Sequence, residues 1–415
     1  MKRRDFMHTV LAGLSLLPAC RIKDNAIPPD PTLELPPPPA VDDGSKVFWV
    51  KAIPDQPFGV QLPNHHAGVD ALLNLMANNE LSFYKRINSA RQAEAYGLIA
   101  ADDIVLIKVN AQWKYRGCTN SDLVRGLVQR ILDHPDGFRG EVVIVENGQG
   151  RGSLNCDTSS SYNGESGVHA NANDESHSFL YLADEVFKGR PVSAYLLDPI
   201  RGIFITAADH ITDGYRMLEN VSYPCFTSAR GTRIELKEGV WKDGAYHHNL
   251  KLINVPVLKH HDQGGSEITA ALKHFYGLVS MSDGQSTARH YSGLGETCGK
   301  MVVSVLPPVL HIMDAIWVSH KALTGYPEQN TFRANQILAS QDPVALDYWA
   351  AKNVLYPINN NNRHHPDFAG IASWLDAAQN TINGRGGIFN PERGIRVGQV
   401  TKNESAMRVF TANAS

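Results

Sequence analysis

The sequence predicts an α/β fold built on a mainly parallel sheet, and three observations predict it. Short β-branched apolar runs, such as 103–109 and 141–146, alternate with segments whose apolar residues recur at helical spacing. Leu123, Val124, Leu127, Val128 and Ile131 are such a segment, and the two runs that flank it complete a βαβ unit, which pairs its strands in parallel. The same alternation returns after residue 250. Helices on both faces in Rossmann-like layers, with long polar loops, complete the expected architecture.

The elements follow in order. Residues 1–20 open with Lys2, Arg3 and Arg4, continue through apolar Val10–Leu17 and end in Leu17-Pro18-Ala19-Cys20. That layout reads as an export signal with a twin-arginine start and a lipobox, which hands the chain to the twin-arginine export machinery and then to a lipid anchor at Cys20. Residues 21–45, with Pro28-Pro29, Pro31 and Pro36–Pro39, read as a semi-rigid spacer without a packing role. Residues 46–415 are the α/β domain, with a division into two lobes left open. Within it, 103–109 is a strand, Thr119-Asn120-Ser121 opens a helix over 122–132, and 141–146 is the next strand. A Gly-, Ser- and Asn-rich loop covers 148–167. Residues 250–258 read as a strand with Pro256 at its end or on a bulge. A helix is expected over 267–279, placing Thr269 and Lys273 on one face, then a polar stretch over 282–299. Strands over 309–314 and 335–339 precede a helix over 342–355, with Asp342 as its cap and Pro343 in its first turn.

Composition narrows the chemistry. Of 415 residues 43% are hydrophobic and 20% charged, and 39 basic against 42 acidic residues leave −3, with no basic stripe for a nucleic acid. The 17 histidines outnumber five cysteines, none in a CxxC pair, so no iron–sulfur cluster or zinc ribbon is expected. Four cysteines follow the leader: Cys118, Cys156, Cys225 and Cys298. Two disulfides in an oxidising compartment and four buried thiols are both open readings.

Ligands of open α/β sheets bind beyond the carboxyl ends of the strands. Lys108, Asn110, Gln112, Trp113 and Lys114 follow the first strand, Glu146, Asn147 and the glycine-rich 148–152 the second, and Lys259-His260-His261-Asp262 the third. Asp314 closes the fourth, with His311 three residues before it. His261, Lys259, Lys273 and Asp314 are therefore the candidate catalytic residues, and Lys108, Asn110 and Asn147 the candidate cofactor-binding ones. Glu146, His260, His261 and Asp314 are candidate ligands of a divalent metal ion, with His169, His177, Asp209 and His210 as outlying donors, although no HExxH motif occurs. Asp209 reads more simply as a helix cap, and His364-His365 as solvated residues of a polar loop. There is no GxSxG elbow for a serine hydrolase. A cysteine nucleophile at Cys118, activated by Lys114 and Arg116, is a minor alternative.

These residues carry a family resemblance. Ile107-Lys108-Val109-Asn110 followed by Thr119-Asn120, then 254–261, 269–277, 312–316 and 338–347, together resemble the domain of unknown function family 362 over about residues 100–355. The resemblance implies an α/β domain without a settled activity, and recurring polar positions at Lys108, Asn110, Lys259, His261, Lys273 and Asp314. Members often carry Asn where this chain has His274, and some are joined to iron–sulfur modules whose cysteine pattern is missing here. The expected function is an exported, periplasmic, lipid-anchored enzyme acting on an anionic small molecule or glycan fragment by metal-assisted hydrolysis or proton transfer. The alternatives are an exported cofactor-bearing oxidoreductase and a non-catalytic ligand-binding protein of the cell envelope.

Overall fold

A computed structural model describes residues 35–157, 166–200, 211–261, 266–280 and 290–414. Residues 1–20, read above as an export signal, and Asp209, His210 and Asp262 lie outside the described residues.

The large sheet grows from the apolar runs. Its central strands are β2 (Ile104–Lys108), β3 (Glu141–Glu146) and β10 (Leu250–Asn254), each buried along its whole length. Strand β4 (Val192–Leu196) pairs in parallel with β3, β3 with β2, β2 with β10, and β10 with β13 (Leu310–Ser319). Strand β14 (Thr331–Ser340) runs antiparallel to β13, and β1 (Ser45–Lys51), itself antiparallel to β14, takes β15 (Met407–Asn413) in parallel at the edge. The result is a mixed, mostly parallel sheet of ten strands. A five-stranded antiparallel sheet, β5 to β9, lies between Gly214 and His247 and has no forerunner in the sequence reading. Glu141 at the start of β3 ties it down by accepting hydrogen bonds from Ser228 and Thr232.

Pro256 breaks the expected 250–258 strand in two. It cannot donate to a ladder, so β10 ends at Asn254 and β11 (Val257–His260) resumes alongside β13 with a shifted register. The Asp314 amide donates to the Pro256 carbonyl at 2.8 Å, and β13 runs on to Ser319. Asp314 thus lies inside its strand, level with the break, and not at the strand's end.

Helix signals fare unevenly. Asn120 caps the Ser121–Leu132 helix through a side-chain oxygen that accepts the Leu123 amide, and Asp342 caps the helix from Pro343 through the Val344 and Ala345 amides. The helix expected over 267–279 is shorter. Glu267 has φ 59°, Ile268–Thr269 forms β12 against β11, and the helix spans Ala271–Phe275. Its first amides, from Ala271 and Leu272, are taken by the buried Asp347 carboxylate, from a helix 75 residues on. Thr269 and Lys273 therefore sit on different elements. The described end of the proline segment also packs: the Pro36 carbonyl accepts from the Tyr96 hydroxyl and that of Pro37 from Gln92.

Candidate functional site

Lys108 and Glu146 end neighbouring strands, so their side chains leave the sheet side by side. Lys108 Nζ lies 2.7 Å from Glu146 Oε1, and both residues are fully buried. The other Glu146 oxygen accepts the Ala111 amide, and Oε1 also accepts that of Asn147. Burial pushes the carboxyl up and the ammonium down, against the attraction of each for the other. Gly277 covers the pair so closely that a Cβ there would lie 2.7 Å from Lys108 Nζ.

Two histidines extend the pair inward. An ammonium only donates, so Lys108 gives its protons to Glu146, to the Val109 carbonyl at 2.9 Å and to His274 Nε2 at 3.1 Å. His274 then carries its proton on Nδ1, which donates to Asn254 Oδ1 at 2.7 Å. The Asn254 amide donates to the Ala271 carbonyl and to His311 Nδ1 at 3.0 Å. His311 is left with a buried Nε2–H that meets no partner among the described residues. Burial holds both imidazoles neutral, His274 well below its ordinary pKa and His311 at about 3.

Lys259 is buried in a different company. Its Nζ donates to the Gly117 carbonyl and, at 3.4 Å, to Asn110 Oδ1, and no carboxylate pairs with it among the described residues. Burial lowers its pKa to about 7; the Cys118 thiol opposes that fall and Lys273 adds to it. Asp314 faces the same 117–120 segment, where its Oδ2 accepts the Asn120 amide at 2.8 Å and Oδ1 the Ile316 amide at 3.0 Å. Burial raises that carboxyl to about 7. Lys259 and Asp314 therefore both hold the 117–120 segment.

His261 and Lys273 complete the cluster. His261 Nδ1 lies 2.9 Å from the Thr269 hydroxyl, Lys273 Nζ lies 2.7 Å from His290 Nε2, and the two imidazole rings are 5.8 Å apart. Burial depresses His261 well below the ordinary histidine value, and Lys273, Lys259 and His290 depress it further. His290 had no sequence signal, being far from any strand end.

Not every expected residue joins. His260 alternates away from Lys259 and His261 and meets His364 at 3.0 Å. His364, expected in solvent, is fully buried, and burial followed by His260 lowers it to about 4. Asn147 supports the fold by donating to the Tyr215 hydroxyl and the Val279 carbonyl. His169 stacks on Tyr115 and His177 on Tyr181. Among the described residues no group of three or more His, Cys, Asp or Glu is arranged around a common metal position. The carboxylate oxygens of Glu146 and Asp314 already accept N–H groups, and Lys108 Nζ stands beside Glu146.

No curated protein and no solved structure matches the chain. Residues 241–352, a narrower stretch than 100–355 but one that holds Lys259, His260, His261, Lys273 and Asp314, match the model of the family described as Domain of unknown function (DUF362).

Proposed function

We propose that this protein is an exported enzyme of the cell envelope that moves a proton on a small anionic substrate, with Lys259 as the proton carrier. The supporting observation is the environment of Lys259: a buried amine hydrogen-bonded, among the described residues, to neutral oxygens, beside Lys273, with a pKa of about 7. A group that titrates near the working pH both gives and takes a proton with little penalty. The basic groups Lys259, Lys273, His261 and His290 crowd one another, which favours an anion among them. Lys273 would hold that anion, His261 would orient it, and Asp314 would fix the 117–120 segment against which Lys259 rests. Metal-assisted hydrolysis is the weaker reading, because the carboxylates it needs are already engaged by N–H donors. The twin arginines and Leu17–Cys20 favour delivery to the periplasmic side with a lipid anchor at Cys20, where Cys20→Ala should release soluble protein.

The test is hydrogen exchange. In heavy water, the wild type should catalyse deuterium incorporation into one or more members of a panel of small oxo-acids, phosphorylated acids and acidic sugars, read by mass spectrometry. Lys259→Met should abolish it without unfolding the protein. Equal exchange by Lys259→Met and wild type would remove the lysine from the mechanism.

A further inference from the structure

We propose that the amino end of the large sheet carries a phosphate site, formed by Asp103, Asn249, Lys251 and Arg393 at the opposite end of β2 and β10 from Lys108 and Lys259. Strand register brings the first three together. Leu250 pairs with Ile104, so Asn249 stands level with Asp103, and Asn249 and Lys251, two residues apart, face the same side of the sheet. The Asn249 side-chain amide donates to the Asp102 carbonyl at 2.8 Å, and Lys251 Nζ lies 4.0 Å from Asp103 Oδ2. Arg393 arrives from the turn Pro391–Arg393 and donates through Nη2 to the Leu250 carbonyl at 2.6 Å. Asp102 is exposed, and Asn249, Arg393 and neighbouring Lys85 are half-buried, so the group opens to solvent.

Among the described residues this group leaves two donors and two acceptors unsatisfied. Lys251 is 4% exposed, and its ion-pair partner at 4.0 Å is beyond hydrogen-bond range. Arg393 Nε is buried without a partner, and so is Asn249 Oδ1. Asp103 accepts the Ala100 amide through Oδ2 at 2.7 Å, which leaves its Oδ1 to accept another proton. Buried polar groups demand partners, so the arrangement calls for a ligand that accepts twice and donates twice. Singly charged phosphate does both: bare oxygens for Lys251 and Arg393, and P–OH groups for Asn249 Oδ1 and Asp103 Oδ1. Sulfate, with no proton to give, sets acceptor against acceptor at Asn249 and Asp103, which discriminates against it. The charges agree. Burial lowers Lys251 to about 8, Asp103 opposes the fall, and Arg393 and Lys85 add to it. Lys85 itself is held by the Glu392 carbonyl at 2.7 Å. Three cations thus face the carboxyls of Asp102 and Asp103, and burial raises Asp103 to about 6. A phosphate group has its second ionisation at about 6, so near that pH a proton is shared between the two. The site does not depend on the reaction proposed for Lys259.

The experiment is a calorimetric titration of the full chain with inorganic phosphate at about pH 6, after dialysis against phosphate-free buffer. Saturable binding is expected, with sulfate weaker by about tenfold or more. Lys251→Met and Arg393→Gln should each weaken phosphate by about tenfold or more, and Asn249→Ala should narrow the gap between phosphate and sulfate. Lys259→Met should bind phosphate like the wild type, which separates this site from the cluster at the carboxyl end of the sheet. Absence of saturable phosphate binding, equal binding of sulfate, or unchanged phosphate binding by Arg393→Gln would overturn the site. So would a signal lost with Lys259→Met but kept with Lys251→Met. Arg393 is only half-buried, so its variant decides the matter if Lys251→Met does not fold.

Discussion

Lys108 and Lys259 are both fully buried lysines at the carboxyl end of the parallel sheet, yet they are held in opposite ways. Lys108 has a carboxylate, a carbonyl and an imidazole for its three protons, and behind it Asn254 and His311 continue the network. Lys259 has two neutral oxygens and a second lysine nearby. The first arrangement fixes a charge and makes it a structural pillar. The second leaves the charge poorly supported, so the proton is labile. Burial alone therefore does not decide how firmly a lysine holds its proton; the partners decide.

The largest effect that would test this comparison is on Lys108. Lys108→Met leaves Glu146 buried without its counter-ion, and removing one member of a buried pair costs about 3–5 kcal/mol; urea unfolding should show that loss. The double substitution with Glu146→Gln should recover part of it. Gly277→Ala comes next, because its Cβ would press on Lys108 Nζ and Glu146 Oε1; overpacking of this kind costs about 1–3 kcal/mol. Lys259→Met should be mild at neutral pH, about 1 kcal/mol for one lost hydrogen-bond donor. A loss as large as that of Lys108→Met would erase the distinction.

The pH dependence sharpens it further. Lys259 sheds its proton near pH 7 when folded but, like a free lysine, near 10.4 when unfolded. Between those values the unfolded chain binds more protons, so this residue makes stability rise with pH. Lys259→Met should flatten that rise in thermal midpoints measured from pH 7 to 10. Asp347 has the opposite sign: burial raises it to about 8, so the folded state keeps a proton that the unfolded state loses near 4, and stability falls across that window. Asp347→Asn should remove the fall, and should cost about 1 kcal/mol through the weakened cap of the Ala271–Phe275 helix.

Much of the site was legible because strand ends can be read from apolar runs. Lys108, Glu146, Lys259 and His261 were each placed by counting from a β-branched segment, and the structure brings them together with Lys273 and Asp314. Histidines were read less well. His364 looked solvated because its neighbours in sequence are polar, whereas it is buried and meets His260, 104 residues away. His274 was read only as the neighbour of Lys273 on the expected helix and as a departure from the family's Asn, and nothing around it announced that it would accept a hydrogen bond from Lys108.

By itself the sequence determined the βαβ alternation, an irregularity at Pro256, the caps at Asn120 and Asp342 and the set of polar groups at the strand ends. All of these rest on local rules: side-chain periodicity, proline's missing N–H and the short reach of a capping oxygen. Only the tertiary structure decided which of those groups share partners. The late start of the expected 267–279 helix, its cap from Asp347 and the contrast between two buried lysines all depend on contacts between distant segments. Local propensity carries no information about which carboxylate, carbonyl or thiol will arrive from elsewhere in the chain, and at a buried site that arrival sets the charge.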